Sequence, residues 1–192
     1  MKYLFLICAV WLSAAGSAQE WAKQYDMVDE RTCGLSLVTK NDKHGFVTKE
    51  GKLVVPLIYD DALHFKEGMA AVKKDGKWGF LDSTGKEVIA PQYNDANSFS
   101  EGLVVVGKGD KYGFIDYSGK TVIPLVYDNA SSFSEGLAAV NKNGLWGFID
   151  GNGKEVIAFK YGFAGSFRDG VAKVMKDSKW TAIDKNGKKA EE

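Results

Sequence analysis

Four aspartates recur along the chain at equivalent places: Asp82, Asp116, Asp150 and Asp184. The chemistry such residues could do is acid/base hydrolysis, which needs two carboxylates about 5–10 Å apart around one bond. Copies of a single position, spread over separate units, do not build one such centre. Aspartate at the first position of a four-residue turn has a simpler role, accepting backbone N–H groups. Each of the four opens a turn of the type Asp82-Ser-Thr-Gly85. Serine stands beside glutamate in Phe99-Ser-Glu-Gly102 and again in Phe133-Ser-Glu-Gly136. A nucleophilic serine needs a base and an acid to orient it. The only histidines are His44 and His64, and neither recurs with those serines. These two histidines, with no cysteine pair beside them, do not form a zinc ligand set either. The expectation is a protein with no catalytic residue, no metal and no cofactor: not an enzyme.

Two lysine columns and several aromatic columns are candidates for binding. Lys40, Lys74, Lys108, Lys142 and Lys176 form one lysine column, and Lys52, Lys86, Lys120, Lys154 and Lys188 the other. Lined up by stacking, they would offer rows of positive charge to an acidic polymer or protein surface. The plainer reading, which is favoured, is protection of strand edges. Tyrosine and tryptophan would stack on sugar rings if exposed, but large aromatic side chains more commonly fill cores. Core packing is therefore expected for Trp78, Trp146 and Phe80, and the tyrosines stay open.

What would position these residues is a repeat. Lys77-Trp78-Gly79-Phe80-Leu81-Asp82 recurs as Lys111-Tyr112-Gly113-Phe114-Ile115-Asp116 and Leu145-Trp146-Gly147-Phe148-Ile149-Asp150. Positions 44, 78, 112, 146 and 180 advance by a constant 34 residues, as do columns of Tyr (25, 59, 93, 127, 161) and Gly (34, 68, 102, 136, 170). Five copies fill residues 25 to 192 and leave no room for a separate catalytic domain. Helical tetratricopeptide repeats share this period, so the interior of the unit decides. Short β-favouring runs such as Gly102-Leu-Val-Val-Val106 alternate with Asp75-Gly76, Asn143-Gly144 and Gly109-Asp110, which are hairpin turn signals. The unit is predicted as all-β.

In the second copy, strands are predicted at about 69–74, 77–82 and 86–90, and the link 93–99 holds a packed turn or a short fourth strand. Alternation along a strand puts Trp78 and Phe80 on one face, Gly79 and Leu81 on the other. Glycine there leaves bare backbone on which a bulky group of a neighbouring element can close. Terminal copies depart from the pattern: the last has Thr181 for Gly and Ala182 for Phe, and the first has His44 for Trp. Polar, atypical end units suit a stacked repeat. An open tandem array is preferred to a closed, propeller-like ring, because 34 residues is short for a propeller blade of about 40.

Composition agrees with a folded domain, with 45% apolar and 26% charged residues and zero formal net charge. No basic excess exists to bind nucleic acid. Lys2, the apolar run from Tyr3 to Leu12 and the small residues Gly16 and Ala18 predict a signal peptide over 1–18, cut before Gln19. The mature domain then runs over 19–192, with Cys33 as its single cysteine, unable to form an intramolecular disulfide.

These residues resemble the WG (or KWG) repeat family, in Lys77-Trp78-Gly79-Phe80-Leu81-Asp82, Gly85-Lys-Glu-Val-Ile89, Tyr93 and Phe99-Ser-Glu-Gly102. The resemblance covers about residues 25 to 187, well in the inner copies and weakly in the outer two. It implies a bacterial, β-rich repeat domain, often exported, with no general catalytic role and no catalytic set to carry over. The expected function is that of an exported scaffold or protein-binding module, in the periplasm, cell envelope or medium. A carbohydrate-binding module using aromatic and lysine rows is the alternative. No transmembrane segment is expected after signal cleavage.

Overall fold

The computed structural model describes residues 20–190; the expected signal peptide and its cut before Gln19 lie outside them. The described chain is antiparallel β-structure, preceded by one short 3-10 turn at Trp21–Gln24. Five sheets follow one another in sequence. The first comprises β1 (Met27–Thr32), β2 (Leu35–Lys40), β3 (Lys43–Thr48) and β4 (Leu53–Tyr59). The second comprises β5 (Asp61–Ala62), β6 (Met69–Lys74), β7 (Lys77–Asp82) and β8 (Glu87–Tyr93). The third is built from β9 (Asp95–Ala96), β10 (Val104–Lys108), β11 (Lys111–Ile115) and β12 (Thr121–Tyr127). The fourth is built from β13 (Asn129–Ala130), β14 (Ala138–Lys142), β15 (Leu145–Ile149) and β16 (Glu155–Tyr161). The fifth has three strands, β17 (Phe163–Ala164), β18 (Val171–Lys176) and β19 (Lys179–Asp184).

The repeat unit is thus three long strands plus a short one. The link after each tyrosine column is the fourth strand: Asp95 and Ala96 pair with Gly107 and Val106 of β10. The third long strand runs further than the sequence suggests, to Tyr93 rather than to residue 90.

Every apolar cluster lies between two consecutive sheets. Alternation along each strand divides its residues between two clusters, as the pleat requires. In the second sheet, Ala70, Val72 and Leu81 face the first sheet, while Met69, Ala71, Trp78 and Phe80 face the third. The phenylalanine of each Trp/Tyr-Gly-Phe strand meets the phenylalanine that enters the next sheet. Ring centroids are 4.7 Å apart for Phe46–Phe65, 5.3 Å for Phe80–Phe99, 4.8 Å for Phe114–Phe133 and 4.9 Å for Phe148–Phe167. Among the described residues nothing covers the forward face of the fifth sheet, where Val171 and Trp180 are exposed. At the other end the side chain of Trp21 fills the space above Gly51. Ile89, Ile123 and Ile157 of the preceding sheets do the same above Gly119, Gly153 and Gly187, so Trp21 occupies at Gly51 the place that an isoleucine has in the later copies.

The glycine of the Trp-Gly step differs from expectation in what closes on it. The occupant is the backbone of the partner strand, not a bulky side chain. Trp78 pairs with Tyr93 and Phe80 with Ile89, so four steps of β8 oppose two steps of β7. This bulge swings backbone across the glycine. A Cβ on Gly79 would lie 2.5 Å from the Ile89 carbonyl oxygen and 2.6 Å from Pro91 N. Proline is tolerated there because bulges and edge strands leave its missing N–H unneeded.

Candidate functional site

The recurring aspartates are turn-formers. The Asp82 carboxylate accepts hydrogen bonds from the Thr84 hydroxyl (2.6 Å), Thr84 N–H (2.9 Å) and Lys86 N–H (3.1 Å). Asp116, Asp150 and Asp184 accept the same pairs of backbone donors, at 2.8–3.0 Å. The Thr84 hydroxyl, more than the opposing partial desolvation, holds the Asp82 carboxyl below its usual range, with the two amides adding to the effect. Asp116 and Asp184 are lowered in the same direction, chiefly by the Ser118 hydroxyl and the Lys188 amide.

The Ser-Glu pairs are turns as well, and their glutamates do something the sequence did not suggest. Glu101 and Gly102 both have positive φ, +56° and +81°, and reverse the chain between Ser100 and Leu103. The carboxylate of the glutamate one copy earlier caps this turn. Glu67 accepts from Glu101 N–H (2.8 Å) and Gly102 N–H (3.1 Å), Glu101 from Gly136 N–H (2.9 Å), and Glu135 from Gly170 N–H (3.0 Å). A carboxylate ladder therefore joins consecutive copies along one edge of the stack. Cys33 holds the corresponding place in the first copy, where it is exposed, with φ +53° and its Sγ 3.9 Å from the Phe65 carbonyl oxygen.

A second ligand completes two rungs. The Tyr117 hydroxyl donates to Glu67 at 2.8 Å, and Lys185 Nζ lies 3.2 Å from Glu135. Both come from fifty residues downstream; for Glu101 that position is Gly151, with open space where a side chain would begin. Gly151→Lys is expected to stabilise by about 0.4–1 kcal/mol, mainly through the lost freedom of the unfolded chain, since an exposed ion pair adds little. Thermal melting checks it; an unchanged or lower Tm contradicts the open rung.

Partial burial works to raise the Glu67 carboxyl, but the Gly102 amide, the Tyr117 hydroxyl and the Glu101 amide outweigh it and leave it lowered. Glu135 is lowered against the same opposing burial, by Lys185 and the Gly170 amide. Groups lowered on folding stabilise fully above their unfolded pKa, near 4, and lose that contribution as pH falls through the lower folded values. The expected outcome is a Tm flat from pH 7 to about 5 that drops steadily below about pH 4. Glu67→Gln should flatten part of the drop; an identical pH profile for that variant removes the ladder from the account.

The phenylalanine columns and Trp78 are core, while Tyr112 and Trp146 are half-buried against the clusters. Tyr59, Tyr93, Tyr127 and Tyr161 are buried, and burial pushes the hydroxyls of the first three up. They sit across from the residue preceding the glycine, as in His44–Tyr59 and Trp146–Tyr161. No tyrosine row is left to stack on sugars. Both lysine columns are exposed, and among the described residues none of the ten joins an ion pair. Lys52, Lys86, Lys120 and Lys154 stand just ahead of the edge strands β4, β8, β12 and β16, a position suited to edge protection. His64 lies 3.5 Å from Asp29, and neither histidine hydrogen-bonds to Ser100 or Ser134 among the described residues. Among those residues no group of three or more His, Cys, Asp or Glu is placed to hold a metal ion, and no helix is long and apolar enough to cross a membrane.

The surface that breaks the repeat is the forward face of the fifth sheet. Inner copies place Ala71, Val105 or Ala139 where Lys173 stands, and Asp or Asn where Phe163 stands. Gly gives way to Thr181 and Phe to Ala182. Trp180 is 60% exposed, against 8% for Trp78, and its ring meets Phe163 edge-on at 5.4 Å. A hollow of about 580 Å³ lies among Phe163, Arg168, Asp169 and Val171, and an adjoining one of about 490 Å³ reaches Thr181 and Ala182. Lys173 and Trp180 line both. Their size is that of ordinary ligand sites. The sequence signal for this face is the departure from the repeat at Thr181 and Ala182, which reads as an end cap; the departure at Lys173 carries the same signal and was missed.

No curated protein matches the chain. Among solved structures it is similar to Hsv2 of Kluyveromyces lactis with its complete loop 6CD, at TM-score 0.54 and 12% identity over 82% of this chain and 58% of that one. Another structure of Hsv2 from the same yeast gives TM-score 0.52 and 10% identity, covering 85% and 62%. A eukaryotic initiation factor gives TM-score 0.54 and 11% identity, covering 83% and 52%. The chain thus spans about three fifths or less of these proteins, and the likeness is one of fold. The sequence model of the WG containing repeat matches residues 45–78, 78–112, 112–146 and 146–180, four tandem copies that cover well over half of the 192 residues. With the Trp-Gly step now explained by a bulged strand crossing each glycine, and with each matched copy running from the Gly-Phe strand of one sheet to the corresponding strand of the next, this chain belongs to the WG containing repeat family.

Proposed function

We propose that the protein is an exported, non-enzymatic scaffold that binds a protein partner through the forward face of its fifth sheet. One observation carries this reading: the face that breaks the repeat is also the one that exposes Trp180 over two adjoining hollows. Exposed aromatics beside an arginine, here Trp180 and Phe163 beside Arg168, are the composition of interface anchors. The carboxylates that would have served a reaction are held in turns and in the inter-copy ladder. Immobilised protein is expected to retain a partner from cell-envelope extract, and Trp180→Ala to weaken that retention at least tenfold with the fold intact by circular dichroism. An extract that yields no partner counts against the reading. The same indole beside Lys173 also suits a saccharide, and silence on a glycan array ends that second reading.

A further inference from the structure

Three Asn-Gly steps occur in the chain, Asn143-Gly144, Asn152-Gly153 and Asn186-Gly187. Asparagine is a thermolabile residue. Before glycine, whose nitrogen no side chain shields, its side-chain carbonyl carbon is open to attack by the next backbone amide. The three steps are held differently. Asn152 and Asn186 lie inside the turns opened by aspartate. Asp150 accepts from Asn152 N–H at 2.9 Å and Lys154 N–H at 3.0 Å, while Gly153 N–H donates to Asp150 O and Asp150 N–H to Lys154 O, both at 2.9 Å. The same four bonds, at 2.8–2.9 Å, close the turn of Asn186 around Asp184. Asn143 and Gly144 are instead the exposed two-residue tip between β14 and β15, with φ +55° and +79°. Side chains hold their amides: Asn143 N–H donates to Asp128 at 2.6 Å and Gly144 N–H to Asn141 Oδ1 at 3.1 Å.

We propose that Asn143 is a site of spontaneous backbone modification, at which the fourth hairpin tip converts itself to aspartate and isoaspartate. The left-handed conformation of Asn143 turns the Gly144 nitrogen away from the side-chain carbonyl, so reaction waits for the tip to open, and this tip has the weakest hold of the three. In the open tip the Gly144 nitrogen bonds to Asn143 Cγ and gives its proton to solvent. The Cγ–Nδ2 bond breaks and ammonia leaves, closing a succinimide. Water then adds to one of its two carbonyls. Opening at Cγ restores the chain with aspartate at 143; opening at the backbone carbonyl routes the chain through Cβ as isoaspartate. The first product is tolerated, because the second copy already has it: Asp75-Gly76 forms the equivalent tip with φ +50° and +75°. The second product adds one atom to the backbone of a turn with only two residues between the paired Lys142 and Leu145. That pairing is lost, and the β14–β15 hairpin loosens at the end nearest Trp146. The inference concerns the fourth sheet and is independent of the binding face proposed on the fifth.

The test incubates the folded full chain in oxygen-18 water at mildly alkaline pH and maps the incorporated label by peptide mass spectrometry. Label at residue 143 is expected to accumulate at least tenfold faster than at 152 or 186. Asp128→Ala frees the Asn143 N–H and is expected to speed labelling at 143 at least threefold, with no change at 152. Should that variant fail to fold by circular dichroism, Asn141→Ala, which frees the Gly144 N–H, takes its place with the same expectation. The isoaspartate form, separated from the aspartate form, is expected to melt lower than the parent and to lose amide protection at Lys142 and Leu145, whereas Asn143→Asp melts with the parent. Equal labelling at the three steps, faster labelling at 152 or 186, or a rate at 143 that neither variant changes overturns the inference. So does an isoaspartate form that melts with the parent.

Discussion

Phe114→Ala is expected to destabilise the protein by about 3–5 kcal/mol, the usual range for truncating a buried phenylalanine. Phe114 is fully buried in the cluster shared by the third and fourth sheets, 4.8 Å from Phe133. Removing it leaves a void between the third and fourth sheets, each of which is also packed on its other face, by Phe80 on Phe99 and by Phe148 on Phe167. It also loses an aromatic pair worth about 0.5–1.5 kcal/mol beyond the area. Urea unfolding measures the effect, and Phe163→Ala is the control. That ring is 43% exposed, so its loss should cost under about 1 kcal/mol. A loss below about 1 kcal/mol for Phe114→Ala would mean that the phenylalanine pairs do not hold the sheets together.

Gly113→Val is expected to be as damaging. A Cβ at Gly113 would lie 2.6 Å from the Ile123 carbonyl oxygen and 2.7 Å from Leu125 N, both backbone of β12. Overpacking a side chain costs about 1–3 kcal/mol and occasionally more. Backbone relaxes less than a side chain, and relaxation here means releasing the bulge between Ile123 and Tyr127 and with it the pairing of Tyr112 with Tyr127. An effect at or above about 3 kcal/mol is expected, with loss of amide protection concentrated on β12. Thr181→Gly is the informative control: among the described residues no strand crosses β19 there, so the change should shift stability by under about 1 kcal/mol. Equal melting temperatures for Gly113→Val and its parent would remove the crossing-backbone account.

Much of the architecture was legible in the sequence because a repeat states each rule several times. One Asp-Gly is a weak turn signal; Asp75-Gly76 and Asn143-Gly144 at the same place in the unit, each ahead of a Trp-Gly-Phe step, are a strong one. The pleat then assigned Trp78 and Phe80 to one face and Leu81 to the other, as found. The bulge opposite Gly79 was not legible, because alternation cannot report two extra residues on the partner strand. The short strand at Asp95–Ala96 is one of the two readings the link 93–99 allowed, and it is too brief for periodicity to choose between them. The Glu67–Glu101–Glu135 ladder was hidden for another reason: it depends on how far one copy lies from the next, and a period in sequence does not give a distance in space. The end face around Trp180 was visible as a set of departures from the repeat, which mark where the pattern stops without saying what meets it.

Each apolar cluster belongs to two adjacent sheets, and within each sheet a strand pairs only with its neighbours in sequence. Nearest-neighbour coupling of this kind favours rapid folding, since little chain has to be looped before a contact forms. It also makes the molecule yield one hairpin module at a time when pulled from its two termini. A single-molecule force trace should therefore show a train of evenly sized rips, beginning at the fifth sheet, whose forward side no described residue covers.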